Sequence, residues 1–423
     1  MNADAPPEFL TFILSYHWHS HEMEILASDP ASERYEVQQR LGSGAFGEVR
    51  MGLDKTSGRS VALKYVRVMG ASKSSRAQGL GIPRAVFREL EALRQLNENP
   101  FVVRLLDVFP DETNLCLVLE YLPSDLSEVV RQRHEAQGGY LPACHIKAYA
   151  HMLLSALAYI HSHRIIHRDV KPSNVLLSRN GTVKLADFGL ARVIDTVASA
   201  SAGEGGAGVG GAGAGAGDLS HQVATRWYRP PELLFASRSY SFSADIWSAG
   251  VVIGELMTLT PLFPGNNDID QMFRVFQIMG SPDPQTWPGV DALPDYAKVS
   301  FPNLLPLDMH AMLMPHAHSQ DVDFLKTMLV LDPAKRVTAA AAAQSEYFLN
   351  QPFPCARANL PFYPRGATAT GTIGEGLDAA AAAVKKDRAA LARSDGGGGG
   401  VAEISARIDR ILAAAQPAHL SLP

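Results

Sequence analysis

The sequence predicts an α+β fold in two parts, a small antiparallel β-sheet with one helix and then a larger helical region. Two observations predict it. Between residues 35 and 120, short β-rich runs alternate with turn residues and are interrupted by a single amphipathic helix. After residue 122, the apolar residues recur at helical spacing and the runs become longer.

In the first part, the helix is predicted at 84–96, with Val86, Leu90 and Leu93 on one face. Pro83 precedes it, at a position where a missing N–H costs nothing. The strands are predicted at 35–41, 48–53, 60–66, 102–109 and 115–120.

In the second part, Pro142 opens a long helix whose apolar face includes Leu153, Leu157 and Ile160. The longest apolar run, 249–263, is interrupted by Glu255 and is too short to cross a bilayer, so it indicates a buried core helix. Helices are predicted at 243–259, 269–279, 322–330 and 338–345.

The composition excludes several classes of protein. The chain has 423 residues, 46% of them hydrophobic and 19% charged, which is ordinary for a globular protein. A net charge of −5 gives no electrostatic reason to expect a nucleic-acid or membrane partner. Three cysteines are too few for a disulfide framework and favour a reducing compartment, so we expect a cytoplasmic or nuclear protein.

The chain divides into a leader at 1–33, a domain at 34–349 with its two parts meeting at 121/122, and a low-complexity tail at 350–423. An Ala/Gly insertion at 197–217 cannot bury a core and is predicted to be flexible. A short amphipathic helix is predicted at 401–415, either docked or solvated. The histidines of the leader could bind a metal, but an unstructured leader is the favoured interpretation because no further ligand cluster is near.

A glycine-rich hairpin lies between the first two predicted strands, where residues 41–49 read LGSGAFGEV. Glycines allow the backbone to approach phosphate oxygens without a Cβ clash. A dinucleotide-binding turn is the alternative, but that turn requires a helix immediately afterwards, and here a strand follows.

A lysine and an acid follow at spacings that suit phosphate binding. Lys64 ends the sequence VALK on the next strand, and Glu89 on the amphipathic helix is the acid expected to orient it. Each residue alone could be a surface charge, but this order and spacing make that interpretation improbable.

The strongest signal is the sequence HRDVKPSN at 167–174, followed by DFG at 187–189. Phosphoryl transfer needs a carboxylate that positions the attacking hydroxyl, a cation for the transferring oxygens and metal ligands. Asp169 suits the first role and Lys171 the second, and a lysine at that position is typical of Ser/Thr specificity. Asn174 and Asp187 offer the hard oxygens that Mg²⁺ prefers.

Together these motifs resemble those of eukaryotic protein kinases of the cyclin-dependent and MAP kinase superclass, over residues 35–348. Within that superclass the chain most resembles the cell-cycle-related kinase subfamily. The segments that carry this likeness are SDLSEVVR at 124–131, SHQVATRWYR at 220–229, PLFPGNNDI at 261–269 and LPDY at 293–296. The resemblance implies the bilobal protein kinase fold. It also implies that ATP is the phosphoryl donor and that Mg²⁺ is the metal cofactor.

The resemblance also assigns residues to the nucleotide site, with Leu119 as gatekeeper and the backbone from Glu120 to Leu122 as hinge. It implies that Thr225 bridges Asp169 and Lys171, that Asp245 braces the catalytic loop, and that Glu232 pairs with Arg336. The residues implied to contact ATP are Leu41, Gly42, Gly44, Gly47, Val49, Ala62, Lys64, Leu119, Glu120, Leu122, Asp125 and Leu176.

Regulation and specificity follow from the same likeness. Ser220 occupies the activating phosphosite, and its phosphate would pair with Arg88, Arg168 and Arg192. Ala224 and Arg229 occupy the positions that select proline after the phosphorylated residue. A cyclin or other activator is expected at the helix around Arg88. The resemblance further implies roles in cilium or flagellum length control or the cell cycle, with MAP-kinase-related kinases among the substrates.

The chain departs from the family pattern at several positions. The phosphosite is serine rather than threonine, Pro230 precedes Pro231 and Glu232, and Ala45 and Phe46 replace the inhibitory Thr-Tyr pair. The insertion raises the entropy of ordering the activation segment. A kinase-fold scaffold that acts by binding is therefore the alternative function, although no catalytic residue is missing.

Overall fold

The computed structural model describes residues 33–44, 47–67, 84–111, 114–136, 139–194, 226–237, 241–313 and 316–365. The described residues form two units, one from 33–122 with 187–191 and one from 123–186 with 192–365. The predicted leader (apart from residue 33), the Ala/Gly insertion and the helix at 401–415 lie outside the described residues.

The first unit is a five-stranded antiparallel sheet with one long helix, as predicted. The strand order is β1-β2-β3-β5-β4. The elements are β1 (Tyr35–Gly44), β2 (Gly47–Asp54), β3 (Arg59–Arg67), α1 (Arg84–Leu96), β4 (Leu105–Asp111) and β5 (Asn114–Glu120).

Strand alternation gives this sheet two apolar layers. Val61, Leu63, Cys116 and Val118 share a cluster with the stacked rings of Tyr35 and Phe109 on one face. Val66 and Leu117 project to the other face, where Val86 and Leu90 of α1 cover them. The predicted apolar stripe of the helix is therefore what attaches it to the sheet.

The fourth strand begins three residues later than predicted. The strand predicted at 102–109 begins at Leu105. Val102 and Val103 are fully buried but belong to the turn after α1, where Val102 N–H donates to Asn99 O and Leu105 N–H to Asn97 Oδ1. Burial of these two residues in a turn produced the apolar pattern that we interpreted as the start of the strand.

The second unit is mainly helical and centres on two long helices, α3 and α5. Its helices are α2 (Leu126–Glu135), α3 (Ala143–Ser162), α4 (Pro231–Leu234), α5 (Ser243–Thr258), α6 (Asp268–Met279), α7 (Met309–Leu313), α8 (Ser319–Met328) and α9 (Ala339–Ala343). The unit also has the short strands β6 (Ser124–Asp125), β7 (Ile165–Ile166), β8 (Val175–Leu177), β9 (Val183–Leu185) and β10 (Arg192–Val193). In the described part of the chain, no helix is long and apolar enough to cross a membrane.

A buried ion pair links distant segments of this unit. Arg336 makes a two-pronged contact with Glu232, at 2.8 Å and 2.7 Å, which confirms the predicted pairing. The same guanidinium lies over the ring of Trp247, 5.0 Å from its centroid, and donates to the carbonyl of Ser243. One cation thereby connects α4, the first turn of α5 and the loop before α9.

The chain beyond residue 349 continues along the second unit as far as residue 365, which we define as the C-terminal segment 350–365. Lys147 of α3 is fully buried, and its Nζ donates to the carbonyls of Tyr347 (2.8 Å) and Asn350 (2.9 Å). Burial lowers the pKa of Lys147 to about 8. Part of the region that we assigned to the tail is thus packed against the domain.

Glu255 makes the stability of the second unit depend on pH. Burial raises its pKa to about 7, and the Tyr228 hydroxyl donates to its Oε2 at 2.7 Å. The folded state therefore binds more protons than the unfolded state between the ordinary pKa of glutamate and about 7, so stability falls as pH rises through that window. Glu255→Gln keeps an acceptor for Tyr228 and should remove roughly 1–3 kcal/mol of this decline. Urea unfolding at several pH values measures it.

The exposed Glu346→Gln in the same unit serves as the matched control and should leave the pH profile of unfolding unchanged. Identical slopes for wild type and Glu255→Gln would contradict the assignment.

Candidate active site

The glycine-rich hairpin joins β1 to β2, with Gly44 opposite Gly47 and Gly42 opposite Val49. A Cβ on Gly47 would lie 1.7 Å from the carbonyl oxygen of Tyr65 on β3, whereas a Cβ on Gly42 would meet nothing within 4 Å. The sequence interpretation assigned both glycines to phosphate approach. For Gly47 there is also an internal reason, because the neighbouring strand leaves no room for a side chain.

Four predicted nucleotide contacts share one face of the sheet. Ala62 and Lys64 are two residues apart on β3 and so project to the same side. Leu119 of β5 pairs with Ala62, and Val49 of β2 pairs with Lys64. Leu41, on β1, is half-buried. The register therefore groups an apolar surface around a single lysine.

That lysine carries a buried charge between two carboxylates. Lys64 Nζ lies 2.5 Å from Glu89 Oε1 and 2.9 Å from Asp187 Oδ1. Burial alone would lower the pKa of Lys64, but the charges of Glu89 and Asp187 raise it above its ordinary value. The ammonium group is thus kept protonated and pointed in a fixed direction.

Asp187 sits on a left-handed backbone, with φ of 64°, just before a short 3-10 turn, Phe188–Leu190. Aspartate is among the few residues that tolerate this conformation. Phe188 is fully buried and the turn packs against α1, the helix that carries Glu89. The two carboxylates around Lys64 are therefore fixed by the same packing.

The predicted hinge begins at the end of β5. Glu120 exchanges bonds with Arg104, because its N–H donates to the Arg104 carbonyl and its Oε1 accepts from the Arg104 N–H, at 3.0 Å and 2.8 Å. Leu122 is buried. These bonds fix the backbone at the start of the hinge.

In the second unit, the catalytic loop is built on Asp245, as predicted. This fully buried carboxylate accepts hydrogen bonds from the backbone N–H of His167 and of Arg168, each at 2.8 Å. His161 Nε2 lies 2.9 Å from the same carboxylate. Burial would raise the pKa of Asp245, but the bonds from His161 and His167 lower it below its usual range, so the anion persists.

Within the loop, Asp169 receives two donors on one oxygen. Lys171 Nζ lies 2.7 Å from Asp169 Oδ2, and Asn174 Nδ2 lies 2.9 Å from the same atom. Asn174 Nδ2 also donates to the backbone carbonyl of Asp169. Because the nitrogen is used twice, the amide oxygen of Asn174 is the atom that can meet a cation.

Asp125 and Leu176 are adjacent, since they pair in the β6–β8 ladder. Asp125 caps α2 by accepting from Glu128 N–H, and its Oδ2 accepts from Arg365 Nε at 2.8 Å. The sequence analysis missed Arg365, which lies in a Pro-rich stretch 240 residues away. It also missed His161, because nothing local connects that residue to Asp245.

The predicted regulatory residues are only partly described. Ser220, Ala224 and Thr225 lie outside the described residues, as do Ala45 and Phe46. Arg88 is exposed on α1 in the first unit. In the second unit, Arg192 of β10 pairs with Ile166, two residues before Arg168, so these two arginines lie on neighbouring chain segments.

Arg229, which is predicted to select proline, forms an ion pair with Asp268, and Arg226 pairs with the same carboxylate. Arg226 Nε lies 2.5 Å and Arg229 Nη1 3.3 Å from Asp268 Oδ1, at the first residue of α6. The nearby Trp227 donates from its ring N–H to the carbonyl of Gly265. The turn at 226–229 is thereby attached to α6.

The protein kinase domain model matches residues 35–348. The chain is 39% identical over 336 residues to cyclin-dependent kinase 20 of Danio rerio, covering 79% of this chain and 89% of the relative. It is 38% identical over 333 residues to cyclin-dependent kinase 20 of Homo sapiens, covering 79% and 88%. The chain belongs to the protein kinase family. It is a Ser/Thr kinase of the cyclin-dependent type, and it uses ATP as substrate with a divalent metal ion.

In each of the two units, one residue offers a hard oxygen that suits such an ion. Asp187 offers a carboxylate. Asn174 offers its amide oxygen, because its Nδ2 already donates two hydrogen bonds to Asp169. Both are hard oxygen ligands of the type that Mg²⁺ prefers. Each stands on rigid backbone, Asp187 before a buried turn and Asn174 in the 3-10 turn Pro172–Asn174.

Gly47 and Gly42 should differ in their importance for folding, because only Gly47 lacks room for a side chain. Gly47→Ala forces a clash with Tyr65 O, so β2 and β3 must shift, and we expect a loss of roughly 1–3 kcal/mol in unfolding free energy. Gly42→Ala has open space and should fold as wild type. Thermal unfolding of both variants measures this. Equal melting temperatures for the two would contradict it.

Proposed function

We propose that this kinase transfers the γ-phosphoryl group of Mg²⁺-bound ATP to Ser or Thr hydroxyls that precede proline in protein substrates. The observation that carries the proposal is the shared oxygen of Asp169, which accepts from Lys171 at 2.7 Å and from Asn174 at 2.9 Å. A carboxylate oriented in this way can accept a hydrogen bond from an incoming hydroxyl and later its proton.

The remaining roles follow from charge. Lys171 places a positive charge beside Asp169, where oxygens of the transferring group would gain negative charge. In the first unit, Lys64 presents a permanently protonated ammonium to the α- and β-phosphates, with Glu89 as its anchor. Asn174 and Asp187 are the residues that would hold Mg²⁺, whose charge would offset that of the phosphates.

Asp169→Asn tests the catalytic role directly. The amide cannot accept the proton and competes with Asn174 for hydrogen bonds, so we expect kcat to fall about 100-fold to 10,000-fold. The measurement is transfer of labelled phosphate from ATP to a Ser-Pro peptide, with the activated full-length kinase. Binding of a fluorescent ATP analogue should be nearly unchanged.

The exposed Asp291→Asn is the matched control and should retain full activity. Equal phosphate incorporation by Asp169→Asn and wild type would overturn the role of Asp169. Nucleotide binding without turnover by the wild type, with its activator present, would favour a scaffold instead.

The proline preference is proposed on the position of Arg229. Its guanidinium is partly exposed, and Asp268, which it shares with Arg226, limits its direction. We expect Arg229→Ala to reduce the ratio of kcat/KM for Ser-Pro over Ser-Ala peptides about 10-fold, mainly by slowing the Ser-Pro reaction. Arg274→Ala, which removes an ion pair with Asp270 on the same helix, is the control. An unchanged ratio in Arg229→Ala would refute this.

We propose that phosphorylation activates the kinase and that three arginines bind the phosphate. A phosphate on Ser220 would carry about −1.5 to −2 charges and pair with Arg88, Arg168 and Arg192, ordering the activation segment. A cyclin or related activator would bind the exposed side of α1 around Arg88. Phosphosite mapping of the active kinase, with a pull-down of its stable partners, tests both.

The cellular setting is proposed from likeness alone. We propose a kinase of the cytoplasm and nucleus that acts in cell-cycle control or in cilium or flagellum length control, with MAP-kinase-related kinases among its substrates. Imaging of the tagged kinase through the cell cycle tests the location, because exclusion from the cytoplasm, nucleus and cilium would contradict it.

A further inference from the structure

Three metal-binding side chains meet at the beginning of α3, all within the second unit. Cys144 and His145 lie in the first turn of the helix, and Cys355 lies in the C-terminal segment 350–365. One ligand atom from each residue lies within 4.8 Å of the other two. The Cys355 N–H donates to the Cys144 carbonyl at 3.0 Å, so backbone contact fixes this approach.

His145 is the least satisfied member of the cluster. Only 4% of the residue is exposed, and within the described residues its buried Nδ1 has no hydrogen-bond partner. A buried polar atom without a partner costs free energy, which a bound ion would recover.

The two cysteines are in direct contact through their side chains. Their Sγ atoms lie within 4.8 Å of each other, so one ion could contact both. Two cysteine sulfurs beside an imidazole nitrogen are the donor set of a soft or borderline metal, in contrast to the hard oxygens of Asp187 and Asn174.

We propose that Cys144, His145 and Cys355 bind one Zn²⁺ ion, with water in the fourth tetrahedral position. In a tetrahedral site, Zn–S bonds of about 2.3 Å and Zn–N bonds of about 2.0 Å require ligand atoms roughly 3.5–3.8 Å apart. The observed limit of 4.8 Å therefore needs to close by only about 1 Å. Side-chain rotation can supply that, because the backbones already touch.

The ion would fasten the C-terminal segment to the helical core. Away from the cluster, that segment is held by Arg365 on Asp125, at 2.8 Å, and by the Tyr149 hydroxyl on the carbonyl of Pro361, at 3.4 Å. Zinc at Cys355 would add a side-chain attachment to the beginning of α3, where the backbone bond from Cys355 N–H to the Cys144 carbonyl already lies. The role is structural, and it stands independently of the kinase reaction proposed above.

The test uses the full-length kinase purified in a non-thiol reductant without chelators. We expect about one zinc per chain by elemental mass spectrometry. After exchange, Co²⁺ should give the near-ultraviolet thiolate band and visible bands of a tetrahedral site. Cys144→Ser and Cys355→Ser should lose the zinc and the thiolate band, and chelator should lower the melting temperature of wild type but not of these variants.

Matched controls come from residues of the same kinds. His151→Gln removes another buried histidine of α3, one whose ring packs edge-on against Phe348, and Cys116→Ala removes the remaining cysteine. Both should retain the zinc. If Cys355→Ser does not fold, Cys144→Ser, at a half-buried position, gives the same readout.

Three results would overturn the site. The first is folded, reduced wild type with neither zinc nor a cobalt band, and the second is equal zinc in wild type and Cys144→Ser. The third is an intact mass showing a Cys144–Cys355 disulfide in freshly purified, metal-free protein.

Discussion

A single carboxylate shut off from water, that of Asp245, fixes the backbone on which the chemistry depends. Two consecutive N–H groups, of His167 and Arg168, point to it, and Arg168 adopts a positive φ of 68° to allow this. Such a conformation costs of order 1 kcal/mol or more for a residue with a side chain, and the charge-assisted bonds offset it. The next residue is Asp169, so its direction follows from this strained turn.

Lys64 and Lys147 show how its surroundings determine the charge of a buried lysine. Lys64 faces two carboxylates and its pKa lies above the ordinary value, so its charge is permanent. Lys147 donates to two carbonyl oxygens and lies over the ring of Tyr347, and burial lowers its pKa to about 8. Lys64 is suited to bind phosphate. Lys147 instead holds α3 to the chain at residues 347 and 350.

Local signals in the sequence predicted most of the fold and the parts of the site. Strand alternation in β3, the stripe of α1 and the spacing from Asp169 to Asn174 are properties of neighbouring residues, so they can be identified without coordinates. The failures are of another kind. Arg365 on Asp125, His161 beside Asp245 and Cys355 beside Cys144 are contacts between residues far apart in the chain, and no local pattern announces them. Val102 and Val103 were wrongly predicted to lie in a strand, because burial alone does not distinguish a strand from a turn.

The family match stops at residue 348, yet the folded chain does not. Asn350 supplies one of the two acceptors of the buried Lys147, and Arg365 supplies the cation at Asp125. A fragment that ends at residue 348 would leave the Lys147 ammonium group with one of its two carbonyl acceptors. It would also remove the Pro361 carbonyl that accepts from the Tyr149 hydroxyl. Anyone preparing the catalytic region for biochemistry should therefore keep the chain through residue 365, or expect a less soluble and less stable protein.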